Sequence, residues 1–176
     1  MGLDMYLEVR KNISKLDYSK FDRANDEWPP PNNSEYDQLL GFMPEGLDKY
    51  SEFGGGYISM TVGYWRKANA IHGWFIRECA NGVDECQPIY VPREKLVELR
   101  NACDEVLRVP ANVGNRLENT ADEQGLLPTQ GFFFGGYELD EWYMNDLEHT
   151  TEIIDHVLSL IPEGNWDWSI IYQASW

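Results

Sequence analysis

Between Glu138 and Ile161 the residues Leu139, Tyr143, Leu147, Ile154, Val157, Leu158 and Ile161 recur at helical spacing. Pro162, Gly164 and Asn165 then end the pattern, and Trp166 to Gln173 reads as a strand. A long helix with one apolar side has to bury that side, and a strand next to it supplies the sheet to bury it on. At the other end of the chain Leu3, Met5, Leu7 and Val9 alternate with polar residues and predict a first, inward-facing strand. Tyr57 to Val62 alternates as a second strand, and Pro88 to Val91 is a short third candidate. Gly63 to Cys79 and Pro92 to Val109 fit helices, the latter with Leu96, Leu99, Cys103 and Val106 on one side. The run from Gly131 to Gly135 reads as a buried aromatic strand, and Asn112 to Leu126 as an irregular acidic connector. Together these predict an α+β fold. It is expected to be a single domain over residues 1–176, with one mainly antiparallel or mixed sheet and about three helices packed on one face. Residues 23–56 break the pattern with Pro29, Pro30 and Pro31, Asn32 and Asn33, and Gly54 to Gly56. They read as a polar insertion or flap with a short helix near Ser34 to Leu40.

Charge narrows the class of partner. The chain carries 30 acidic and 14 basic residues, a net of −16, which argues against direct binding of nucleic-acid phosphates. All 14 basic residues lie in the first 116 positions with 18 acidic ones; the last 60 positions hold 12 acidic residues and no Lys or Arg. Apolar runs stay far short of a membrane span, and Met1-Gly2-Leu3-Asp4 has no secretory pattern. Cys79, Cys86 and Cys103 are odd in number and match no metal or redox spacing, which suits a reducing cytoplasm. No phosphate loop, dinucleotide fingerprint, nucleophile elbow, His-Glu-x-x-His or Cys-x-x-Cys occurs, so no cofactor and no catalytic residue are assigned.

Four stretches carry a resemblance. They are Gly2-Leu3-Asp4-Met5-Tyr6-Leu7, Val62-Gly63-Tyr64-Trp65-Arg66-Lys67-Ala68-Asn69-Ala70-Ile71-His72, Leu127-Pro128-Thr129-Gln130-Gly131-Phe132-Phe133-Phe134-Gly135 and Tyr172-Gln173-Ala174-Ser175-Trp176. In that order they resemble a family of small proteins encoded by bacteriophages and prophages. The resemblance implies a phage accessory protein acting in the cytoplasm of a bacterial host, and it brings no site residues with it.

Drawn as a helix, Gly63 to Cys79 places Tyr64, Trp65, Ala68, Ile71, His72, Phe75, Ile76 and Cys79 on one apolar arc. Arg66, Ala70, Gly73 and Arg77 line the other side, flanked by Lys67 and Trp74. Small residues between arginines make a shallow cationic groove, and an aromatic plane beside it suits a nucleotide-like ligand. Pairing of those arginines with the chain's own carboxylates is the competing reading. His72, with Asn69 or Tyr64 to orient it, is a candidate acid or base for a small enzyme acting on a nucleotide or nucleobase, weighed against a hydrogen-bonded core histidine.

On the C-terminal helix Glu141, Glu148, Glu152 and Asp155 form an acidic stripe with no Lys or Arg on that helix to offset it. It is either solvated or kept acidic for a basic protein partner, such as a host factor to be inhibited. Glu152 with His149 or His156 is a weaker, metal-binding alternative. Trp65, Trp142, Trp166, Trp168 and Trp176 are expected to pack; Trp28 and Trp74 are expected to be exposed, with Trp28 as a lid over Trp74 and Arg66. Exposed aromatic residues also permit a homodimer.

Overall fold

Alternation carries the chain into its first strand. Asp4–Ser14 forms β1, and Leu3, Met5, Leu7 and Val9 are buried while Asp4, Tyr6 and Glu8 between them stay partly exposed. The computed structural model describes the chain apart from residues 1, 23, 26–27, 50–53, 111–114, 132–133 and 165. Among the described residues β1 is followed by α1 (Ser34–Leu40), β2 (Gly55–Arg66), α2 (Asn69–Cys79), β3 (Ile89–Tyr90) and α3 (Arg93–Leu107). Then come α4 (Arg116–Glu123), α5 (Glu141–Leu160) and β4 (Trp168–Ser175). The strands make one antiparallel sheet in the order β2-β1-β4-β3, with Ile89 opposite Tyr172 and Tyr90 opposite Ile171. The fold is α+β.

Two compact units divide the chain, Met1–Val9 with Met60–Trp176, and Arg10–Ser59. In the larger unit one face of the sheet carries the core. Trp65 Nε1 donates to Thr150 Oγ1 at 2.9 Å, and Phe75 stacks on Tyr172 with ring centroids 4.1 Å apart. Leu3, Met5 and Leu7 join Leu96, Leu99, Leu147, Ile154 and Val157 in the same buried cluster. Each such side chain contributes about 1.5–3 kcal/mol on burial, so the apolar period of α3 and α5 is what holds the helical layer on the sheet. Burial also quiets the cysteines: it pushes the Cys79 thiol up to about 11 and Cys103 to about 12.

The smaller unit spans the whole of the expected insertion, residues 23–56. α1 spans Ser34–Leu40 as its spacing predicts, and the Asn33 side chain caps it by accepting from the Glu35 amide at 3.0 Å. Leu16 bridges Asn32, Lys15 Nζ lies 2.9 Å from Asp48 Oδ2, Lys11 pairs with Glu35, and Trp28 packs edge-on against Phe21.

Three sequence expectations change. The predicted helix over Gly63 to Cys79 begins only at Asn69, because the alternating Val62 to Arg66 stays in β2 and Lys67 then breaks the strand with a φ of +63°. The expected irregular connector contains α4, held by one buried face through Ala121. Gly131 and Phe134 lie outside any strand, and residues 132 and 133 of that expected strand lie outside the described residues. No helix among the described residues is long and apolar enough to cross a membrane.

Candidate functional site

Two turns build the site. β2 ends at Arg66, and the next residue, Lys67, takes the left-handed backbone conformation that costs a residue with a side chain on the order of 1 kcal/mol. Neighbouring bonds hold it there: the Lys67 amide donates to Leu3 O, and Lys67 O accepts from the Asn69 amide, both at 2.8 Å. Asn69, the first residue of α2, is buried and donates through Nδ2 to Gly136 O at 2.8 Å and Phe134 O at 3.4 Å. Gly135 has a φ of +111°, and a Cβ there would stand 3.0 Å from Lys67 O, so only glycine lets the second turn approach the first.

A cavity of about 660 Å³ opens between these turns and the start of α5. Ala68, Ile71, Tyr143 and Leu147 supply buried apolar surface, and Arg66 and Lys67 stand on its wall with Glu138, Asp140 and Asp146. Trp142 lines it while remaining 77% exposed, leaving its ring available. Tyr143 is locked, its hydroxyl donating to Leu126 O at 3.0 Å and its amide to Asp140 Oδ1 at 3.1 Å. Asp146 is half-buried, and that burial raises its carboxyl to about 6; His149 pulls the other way and Asp140 adds to the rise.

The two cations of this wall differ from the ion-paired cations of α3 and its C-cap. Among the described residues the side chains of Arg66 and Lys67 make no ion pair or hydrogen bond, whereas Lys95 bridges Glu78 and Glu98, and Arg100 and Arg108 are paired as well. A cavity of this size, mostly apolar beneath and with a few converging charges, is the usual form of a small-molecule site.

No family model, no curated protein and no solved structure matches the chain. The site therefore rests on its own geometry.

The predicted ligand-binding residues separate. Arg66 and Lys67 line the cavity, and Asn69 supports it from behind. Arg77 does not reach it; its guanidinium donates to the Gly125 carbonyl. The groove expected between the two arginines is filled, because a Cβ on Gly73 would fall 1.9 Å from Thr129 Oγ1. Trp74, expected to be exposed, is 4% exposed and packs edge-on against Phe75, so it offers no plane for a ligand or for a lid.

His72 is 1% exposed and does not line the cavity. Neither Asn69 nor Tyr64 orients it: Asn69 serves the glycine turn, and the Tyr64 hydroxyl donates to Asp4 at 2.5 Å. Its partners are Asp84 Oδ2, 3.1 Å from Nε2, and the Tyr172 hydroxyl, 2.7 Å from Nδ1. A carboxylate only accepts, so Nε2 carries its proton toward Asp84, and on a neutral ring Nδ1 accepts from Tyr172. Burial, with the charge of Asp84, holds the Tyr172 hydroxyl protonated. With both nitrogens engaged and Phe134 and Trp176 against the ring, His72 is a satisfied core histidine.

The acidic stripe is exposed along α5, but its members differ. Arg100 grips Asp155 with two bonds, at 2.9 and 3.2 Å, which offsets that charge from α3. Glu141, Glu148 and Glu152 make no ion pair among the described residues. His149 donates from Nε2 to Tyr64 O at 3.2 Å, and no metal-binding group of three or more side chains occurs among the described residues.

Trp142 and Asp146 are the site residues that helical periodicity missed. Trp142 was expected to pack, yet it sits one position from the buried Tyr143 and faces outward. Its four-residue spacing to Asp146 puts both on one stripe of α5, and that stripe is the signal available in the sequence. Trp166, also expected to pack, is 95% exposed.

Proposed function

We propose that the chain is a binding protein whose cavity holds a nucleotide-like anion. One observation carries this reading: Arg66 and Lys67 share a cavity wall and, among the described residues, lack carboxylate partners in a chain with a net charge of −16. Two adjacent cations repel each other, and an anion placed between them relieves that repulsion while gaining charge-assisted hydrogen bonds. Trp142 adds a face on which a heterocycle stacks. Apolar residues, an exposed Trp and two cations line one cavity and supply contacts for the parts of a nucleotide, with the carboxylates of Glu138, Asp140 and Asp146 on the same wall.

In a phage setting, which the four sequence stretches suggest, such a protein sequesters a nucleotide signal of the host and needs no catalytic group. Native mass spectrometry of the untagged protein purified from bacteria tests this. An adduct of nucleotide mass, lost in Arg66→Ala, is the expected result; bare protein that also takes up no added mononucleotide would overturn it.

Glu141, Glu148 and Glu152, exposed and without an ion pair among the described residues, favour a second reading, an acidic face for a basic protein of the host. In that case Glu148→Lys with Glu152→Lys abolishes capture of the partner and leaves the cavity's ligand in place.

A further inference from the structure

We infer that Asp146 reads the ring of the bound molecule and selects a guanine-type edge over an adenine-type one, an inference that rests on the nucleotide reading of the cavity. Asp146 lies half-buried in the cavity wall, and its carboxylate makes no hydrogen bond to protein among the described residues. The other carboxylates differ: Asp140 caps α5 by accepting from the Tyr143 amide, and Glu138 is exposed at the rim. A half-buried acceptor with no donor in the fold is satisfied by water or by a donor on the ligand.

Position then decides which part of the ligand it meets. Trp142 and Asp146 are four residues apart on α5, one turn along the same side of the helix. A ring stacked on Trp142 would lie one helical turn from Asp146, and Arg66 and Lys67 line the same cavity for the anionic group. A carboxylate has two acceptor oxygens and no donor. Guanine offers a ring N–H and an exocyclic amine side by side, two parallel donors for two parallel acceptors. Adenine sets an acceptor nitrogen beside its amine, cytosine does the same, and uracil has one N–H between two carbonyls. Each of those places a lone pair against the carboxylate.

Calorimetric titration of GMP, IMP and AMP into the wild-type protein and Asp146→Asn at neutral pH tests the inference. Wild-type protein should bind GMP about tenfold to a hundredfold more tightly than AMP, with IMP, which lacks the exocyclic amine, between them. Asp146→Asn should close or invert that gap, weakening GMP and tightening AMP, because its amide offers one donor and one acceptor to adenine's ring nitrogen and amine. Equal affinity for GMP and AMP in the wild type would overturn the selectivity and leave the nucleotide reading standing. A GMP preference that survives in Asp146→Asn would overturn the role of Asp146. Binding of none of the three would overturn the nucleotide reading and the inference with it.

Discussion

Asn69 and Gly136 are joined by a 2.8 Å hydrogen bond from the Asn69 side-chain amide to the Gly136 carbonyl. The bond ties the start of α2 to the turn that leads into α5, so the cationic and aromatic sides of the cavity are held by one buried side chain. Asn69→Ala is expected to lower the unfolding free energy by about 1–3 kcal/mol, since it leaves a carbonyl without its donor. Urea unfolding measures it. An unchanged midpoint would mean that water replaces the bond and that the turns are held otherwise.

Gly135→Ala tests the same joint from the other side. The added methyl meets Lys67 O at 3.0 Å on a backbone with φ of +111°, so the variant should lose roughly 1–3 kcal/mol. Thermal unfolding checks it, and a wild-type melting temperature would show that the turn relaxes at no cost.

Tyr172→Phe separates structure from chemistry at His72. It removes the hydroxyl 2.7 Å from Nδ1 and leaves a buried ring nitrogen unpaired. Stability should fall by about 1–3 kcal/mol, while the affinity of the cavity for a nucleotide stays unchanged. Unfolding and calorimetry together decide it; lost affinity at full stability would return His72 to the functional site.

The sheet and its helical layer were legible because burial repeats: Leu3, Met5, Leu7 and Val9 at period two, and Tyr143, Leu147, Ile154 and Val157 along α5. Arg66 and Lys67 were legible as cations in an acidic chain. The rest of the site was not, for two physical reasons. Helical periodicity ran back into β2, because Tyr64, Trp65 and Ala68 suit an apolar arc as well as an alternating strand, and only the backbone break at Lys67 separates the two. The fates of Trp74 and Trp142 depend on long-range packing, since Thr129 covers one side of α2 and the 134–136 turn leaves Trp142 beside an opening.

The raised carboxyl of Asp146 has a sign. Its folded value, about 6, lies above the usual carboxylate range, so the folded state favours the protonated form. Its contribution to stability is therefore greatest at acid pH and is lost as pH rises from the ordinary carboxylate range through about 6. His149 opposes the shift and Asp140 adds to it. Asp146→Asn should accordingly gain stability over wild type near neutral pH and not at a pH of about 4. Chemical unfolding at the two pH values checks it; an equal difference at both would place the cause elsewhere.

Glu148→Lys with Glu152→Lys alters two exposed carboxylates that make no ion pair among the described residues, so stability should change by no more than about 0.5 kcal/mol. Nucleotide titration of this variant should match the wild type. A weakened titration would tie the acidic stripe to the cavity.

The most direct test of the cavity is calorimetric titration of GMP into the wild-type protein and into Arg66→Ala with Lys67→Ala. Saturable one-to-one binding by the wild type is expected, with an affinity about tenfold or more lower in the variant, as loss of charge-assisted bonds to an anion requires. Equal affinity in the two proteins, or no heat of binding in the wild type, would contradict it.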